Sequence, residues 1–88
     1  MHELSLMRGL LRKIETIARD EKALKITGVN VTLGPLSHIS PDHFREHFLL
    51  ASSGTLAEGA SLDIQILTHP EAPEEQEICL KSVELEIP

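Results

Sequence analysis

Near the start of the chain, apolar residues recur at steps of three and four: Leu4, Met7, Leu11, Ile14 and Ala18, with Leu10 and Ile17 widening the stripe. Arg8, Arg12, Lys13, Glu15 and Arg19 fall mostly elsewhere, so the spacing predicts an amphipathic helix over roughly 3–21. From Ile26 to Leu33 the period drops to two, with Val29, Val31 and Leu33 on one side and Asn30 and Thr32 on the other, until Gly34-Pro35 breaks the run. That is a strand with one wet face. Ser40-Pro41-Asp42 is a helix start: a side-chain oxygen to cap free amides, a proline whose missing N–H costs nothing at the first position, and an acid at the positive dipole end. The second helix is predicted over about 41–51, with Phe44, Phe48 and Ala51 as its buried stripe and Ser52-Ser53-Gly54 as its end. Leu62, Ile64 and Ile66 alternate with Asp63 and Gln65 as a second strand, after the Glu58-Gly59-Ala60 turn. Residues 68–77 hold two prolines and four glutamates and read as a solvated loop. Strand character returns from Ile78 to Ile87, where the alternation slips from even to odd positions and predicts a bulge near Lys81-Ser82.

The order α-β-α-β-β predicts a two-layer α+β fold, both helices covering one face of a three-stranded mixed sheet. The first two strands and the helix between them form a right-handed parallel crossover, and the third strand completes the sheet. The uncovered face is expected to carry Asn30, Thr32, Asp63 and Gln65.

Composition narrows the function. A chain of 88 residues has material for one core, which excludes a bilobal enzyme with a deep interdomain cleft. Apolar residues at 41% and charged residues at 25% suffice to fold and are not the balance of a disordered chain. Two Phe are the only aromatics and the net charge is -6, so neither base stacking nor phosphate binding is favoured and no nucleic-acid partner is expected. The single Cys79 cannot close an intrachain disulfide, and no basic leader runs into a long apolar stretch. A cytoplasmic setting without membrane contact is the expectation. Charge is uneven: Arg8, Arg12, Lys13, Arg19, Lys22 and Lys25 face four acids in residues 1–25, whereas residues 58–88 hold eight acids against Lys81. A solvated helix face and loop account for this, with a docking surface for a charged partner as the alternative.

Candidate chemistry starts at the first residues. The helical pattern begins at Leu4, so Met1, His2 and Glu3 are expected at a free terminus, and the bulk of His2 is expected to spare Met1 from removal. A His at position 2 lets one divalent ion be gripped by the Met1 amine, the deprotonated His2 amide and the His2 ring in fused chelate rings, with Glu3 adding its amide or carboxylate. Such a near-planar set of strong nitrogen donors suits Ni²⁺ and Cu²⁺ better than tetrahedral Zn²⁺. His43 and His47 share a helix face, and His43-Phe44-Arg45-Glu46-His47 matches the H-x-x-E-H pattern of inverted zinc peptidases. That enzyme needs a third protein ligand, Glu46 as base and a substrate cleft, which a single small core hardly encloses. Metal binding by the pair alone, or two solvated histidines, are the other readings. His38, in the loop after the first strand, and His69, beside Pro70 in the acidic loop, read as surface histidines; either could approach the terminus in space, but neither spacing says so. Cys79 lies in an apolar context and reads as a packed, inert thiol. No nucleophile motif or phosphate cradle is present, so the chain reads as a binder and not as an enzyme.

Met1-His2-Glu3-Leu4-Ser5-Leu6, Val31-Thr32-Leu33-Gly34-Pro35-Leu36-Ser37, Phe44 and Phe48, Gly59-Ala60-Ser61-Leu62-Asp63-Ile64, and Ser82-Val83-Glu84-Leu85-Glu86 occur in that order. Together they closely resemble the HypA/HybF family of nickel metallochaperones of NiFe-hydrogenase maturation. The resemblance implies Ni(II) as cargo, held by Met1, His2 and Glu3, and passed by ligand exchange to a hydrogenase large subunit or another nickel enzyme alongside a HypB-like GTPase. Members of that family insert a zinc subdomain with two C-x-x-C pairs between the second and third strands. Here that place holds only Thr68 to Glu77, so residues 1–88 are expected to form a single nickel-binding domain without structural zinc. A carboxylate that some members place before the second helix falls on Ser40 here, with Asp42 two residues on. The alternative is a zinc-free adaptor or docking subunit of a metalloenzyme assembly, with nickel binding lost or incidental. Uncovered strand edges in so small a domain also make a homodimer an expected mode of pairing.

Overall fold

The computed structural model describes residues 2–68 and 77–88, with residues 2–4 and 6 described by their backbone alone. The elements follow in the predicted order: α1 (His2–Asp20), β1 (Lys25–Leu33), α2 (Pro41–Ser52), β2 (Ser61–Ile66) and β3 (Ile78–Glu86). Strand order is β2-β1-β3, with β1 parallel to β2 and antiparallel to β3. This is the expected two-layer α+β arrangement.

One core joins the layers. Met7, Leu10, Leu11, Ile14 and Ala18 of α1 and Phe44 and Phe48 of α2 pack with Ile26, Val29, Val31 and Leu33 of β1, all of them buried. Leu62, Ile64, Leu80, Val83 and Leu85 from the flanking strands pack against that cluster and stay half-buried, because an edge strand has a neighbour on one side only. Ile66 shares their parity yet is 62% exposed, at the far end of edge strand β2.

The helix ends follow the local chemistry. Ser40 caps α2: its Oγ accepts from the His43 amide at 3.1 Å and its carbonyl from the Phe44 amide at 2.9 Å. Past the end of α1, the Ala23 amide donates to the Ala18 carbonyl at 2.9 Å and the Lys22 amide to the Arg19 carbonyl at 3.1 Å. This paired closure requires a left-handed residue at its hinge, and Lys22 takes that role with φ 55°.

The register contains two irregularities. Asn30 pairs with Ser82 and Val31 with Leu80, which leaves Lys81 as the extra residue of β3, where the slip in alternation predicts it. Ile26 pairs with Leu85 and Gly28 with Glu84, so Thr27 is a second extra residue, on β1. The second bulge explains how Ile26 and Val29, three apart, both face the core.

The open face of the sheet departs from expectation at Thr32. Asp63 and Gln65 are exposed and Asn30 is half-buried, its amide donating to Ser82 Oγ at 2.7 Å. Thr32 is only 1% exposed, and its Oγ1 has no hydrogen-bond partner among the described residues. It sits on the central strand opposite Gln65 of β2 and Cys79 of β3, and flanking strands on both sides shield it as they do not shield Asp63 or Gln65. On this face Gly28 gives Glu84 room to lie across β1: a Cβ there would stand 2.8 Å from Glu84 Oε1.

The predicted loop over 68–77, with His69, lies outside the described residues except for its ends, Thr68 and Glu77. Leu67, just before the loop, and Glu77, its last residue, are pinned at the close of β1. The Leu67 amide donates to the Leu33 carbonyl at 2.9 Å, and the Gly34 amide to the Glu77 carbonyl at 2.7 Å.

Candidate metal centre

Helix α1 begins at His2, so the backbone of His2 and Glu3 forms the first helical turn; Met1 lies outside the described residues. The first amides of a helix have no intrahelical acceptor, so the His2 N–H would sacrifice no bond within α1 if its proton were released to solvent and a metal took its place. Among the described side chains of α1, Met7 is the first that is buried.

The other histidines separate. His43 and His47 meet on α2, with Nε2 to Nε2 at 2.9 Å, ring centroids 4.5 Å apart and planes at 78°. His43 is exposed and His47 half-buried, and the buried Phe44 and Phe48, one residue further along the helix in each case, hold their backbone in place. His38 is exposed in the loop before α2, with a left-handed φ of 54°. Asp42 is exposed in the first turn of α2. Among the described residues no group of three or more His, Cys, Asp or Glu side chains could hold a metal ion. Neither His38 nor Asp42 therefore extends the His43–His47 pair, and the third ligand that an H-x-x-E-H peptidase requires is not assembled there. Cys79 is half-buried, with Sγ 3.8 Å from the Leu80 carbonyl, a contact within β3.

Two features were not legible in the sequence. An open groove of about 600 Å³ runs between the helices, lined by apolar Met7, Leu11, Leu50 and Ala51 and by Arg8, Arg12, Glu15 and His47. Arg45 reaches from α2 to donate to the Leu62 carbonyl of β2 at 3.0 Å. The apolar stripe of α1 announces packing, but not that its margin stays open; the exposure of Leu50, at 80%, is decided by where α2 lands. Among the described residues no helix is long and apolar enough to cross a membrane.

Comparison with known proteins bears on the family and the fold. A family model described as "HypA: Hydrogenase/urease nickel incorporation, metallochaperone, hypA" matches residues 1–86. The hydrogenase maturation factor HypA of Archaeoglobus fulgidus is 38% identical over 66 residues, which cover 75% of this chain and 60% of that protein. The HypA of Chlorobium limicola is 42% identical over 65 residues, covering 74% of this chain and 56% of that protein. The chain thus spans less than two thirds of the length of these relatives. The solution structure of the Ni metallochaperone HypA from Helicobacter pylori superposes with a TM-score of 0.78 at 22% identity, covering 98% of each chain, which shows a common fold. A family match from residue 1 to residue 86, on a chain with that fold, makes this protein a member of the HypA family of hydrogenase and urease nickel-incorporation metallochaperones.

Proposed function

We propose that this chain is a minimal nickel metallochaperone that binds Ni(II) through the Met1 amine, His2 and Glu3 and hands it to a hydrogenase large subunit or a related nickel enzyme. The observation that carries this reading is the family match over residues 1–86, which takes in the Met1-His2-Glu3 string. The helical start at His2 supports it, because unpaired first-turn amides and the positive end of the helix dipole favour a deprotonated amide and a carboxylate as ligands. Loading and delivery proceed by ligand exchange, with no covalent step, and a HypB-like GTPase acts alongside in the cytoplasm. Residues 1–88 act as one nickel-binding unit, and the segment joined at Thr68 and Glu77 stands where a zinc subdomain would be inserted.

The test is a Ni(II) titration by calorimetry and absorbance on untagged protein, beside His2→Ala and a His43→Ala/His47→Ala double variant. Tight binding that is lost in His2→Ala and kept in the double variant is the expected result. Weak binding indifferent to His2 overturns the reading and leaves a fold retained for docking.

A further inference from the structure

The pair on α2 has a geometry of its own. Two ligand nitrogens at about 2.0–2.1 Å from one metal stand about 2.9 Å apart when they subtend a right angle and about 3.3 Å apart in a tetrahedron. His43 Nε2 and His47 Nε2 stand 2.9 Å apart. Without metal, that separation serves an N–H···N hydrogen bond, one ring donating and the other accepting. Moving the shared proton from Nε2 to Nδ1 of the donor ring, and turning the rings about their side-chain torsions, frees both Nε2 lone pairs for one ion outside the helix.

We propose that His43 and His47 form a second divalent-cation site, a pair of imidazoles chelating one ion of the Ni(II), Cu(II) or Zn(II) class. Three observations carry it. The two nitrogens already stand 2.9 Å apart, within a small ring rotation of the separation that chelation of one ion requires. The four-residue spacing stacks both rings on one side of α2, and the helix is held by the Ser40 cap and by Phe44 and Phe48 in the core, so little order has to be gained on binding. His43 is exposed and His47 borders the interhelical groove, so the ion keeps open positions for water or for a ligand brought by a partner. Two protein ligands make such a site weaker and faster to exchange than the terminal chelate. Those are the properties of a place where an ion pauses, not where it is stored.

The site is tested without the terminal one, in the full-length His2→Ala chain. Ni(II) is titrated and read by calorimetry and by paramagnetic broadening of backbone amide signals in NMR spectra. The expected result is one ion per chain, with broadening centred on residues 43–47. Adding either His43→Ala or His47→Ala to that chain should weaken binding by at least the roughly tenfold that loss of a mere supporting partner costs. Circular dichroism should show α2 intact in both variants. Absence of binding in the His2→Ala chain, or binding that only one of the two histidines affects, overturns the pair as a chelate. None of these results touches the terminal site, which the double variant on the His2 background reports separately.

Discussion

Thr32 carries a hydroxyl into a buried place that offers it no partner among the described residues. It is paired across the sheet with Gln65 and Cys79, and its Oγ1 is left without a hydrogen bond there. Burying such a group costs about 1–3 kcal/mol, whereas an apolar group of similar shape carries no such cost. Thr32→Val should therefore stabilise the protein by about 1 kcal/mol, seen as a higher urea midpoint with an unchanged slope. The alternation of β1 correctly puts Thr32 on the face away from the helices. It cannot tell that this face is shielded there, because shielding comes from β2 and β3, tens of residues away in the chain.

Elements are set by their own punctuation, and here the sequence is most legible. Ser40-Pro41-Asp42 starts α2 where the capping chemistry requires, and the slip in alternation marks the Lys81 bulge. The end of α1 is less orthodox. The position after the helix is left-handed and occupied by Lys22 at φ 55°, where Gly is the residue without steric cost. Lys22→Gly should raise stability by a few tenths to about 1 kcal/mol, checked as a rise in thermal midpoint, because relief of the left-handed strain outweighs the extra freedom glycine gives the unfolded chain. The Thr27 bulge has no comparable signal. In the sequence Ile26 reads as out of phase with Val29, and only pairing with β3 shows that one residue is looped out between them.

At the scale of the whole molecule, two phenylalanines hold two layers together. Phe44 and Phe48 are almost wholly buried and are the only aromatics in the chain. Phe48→Ala should cost about 3–5 kcal/mol, a large part of the roughly 5–15 kcal/mol that such domains have, and leave a chain that melts tens of degrees lower or fails to fold at 37 °C. The measurement is thermal unfolding followed by circular dichroism. The sequence alone determined the five elements, their order, the apolar stripes that meet in the core and the Met1-His2-Glu3 string, because period, caps and turn residues are local properties of the chain. Helical spacing likewise placed His43 and His47 on one face. Only the tertiary structure decided that their nitrogens stand 2.9 Å apart, that Thr32 is buried, that Leu67 and Glu77 meet Leu33 and Gly34, and that a groove opens between α1 and α2. Those are distances between residues remote in sequence or between side chains whose rotamers the packed backbone selects, and no local pattern encodes them.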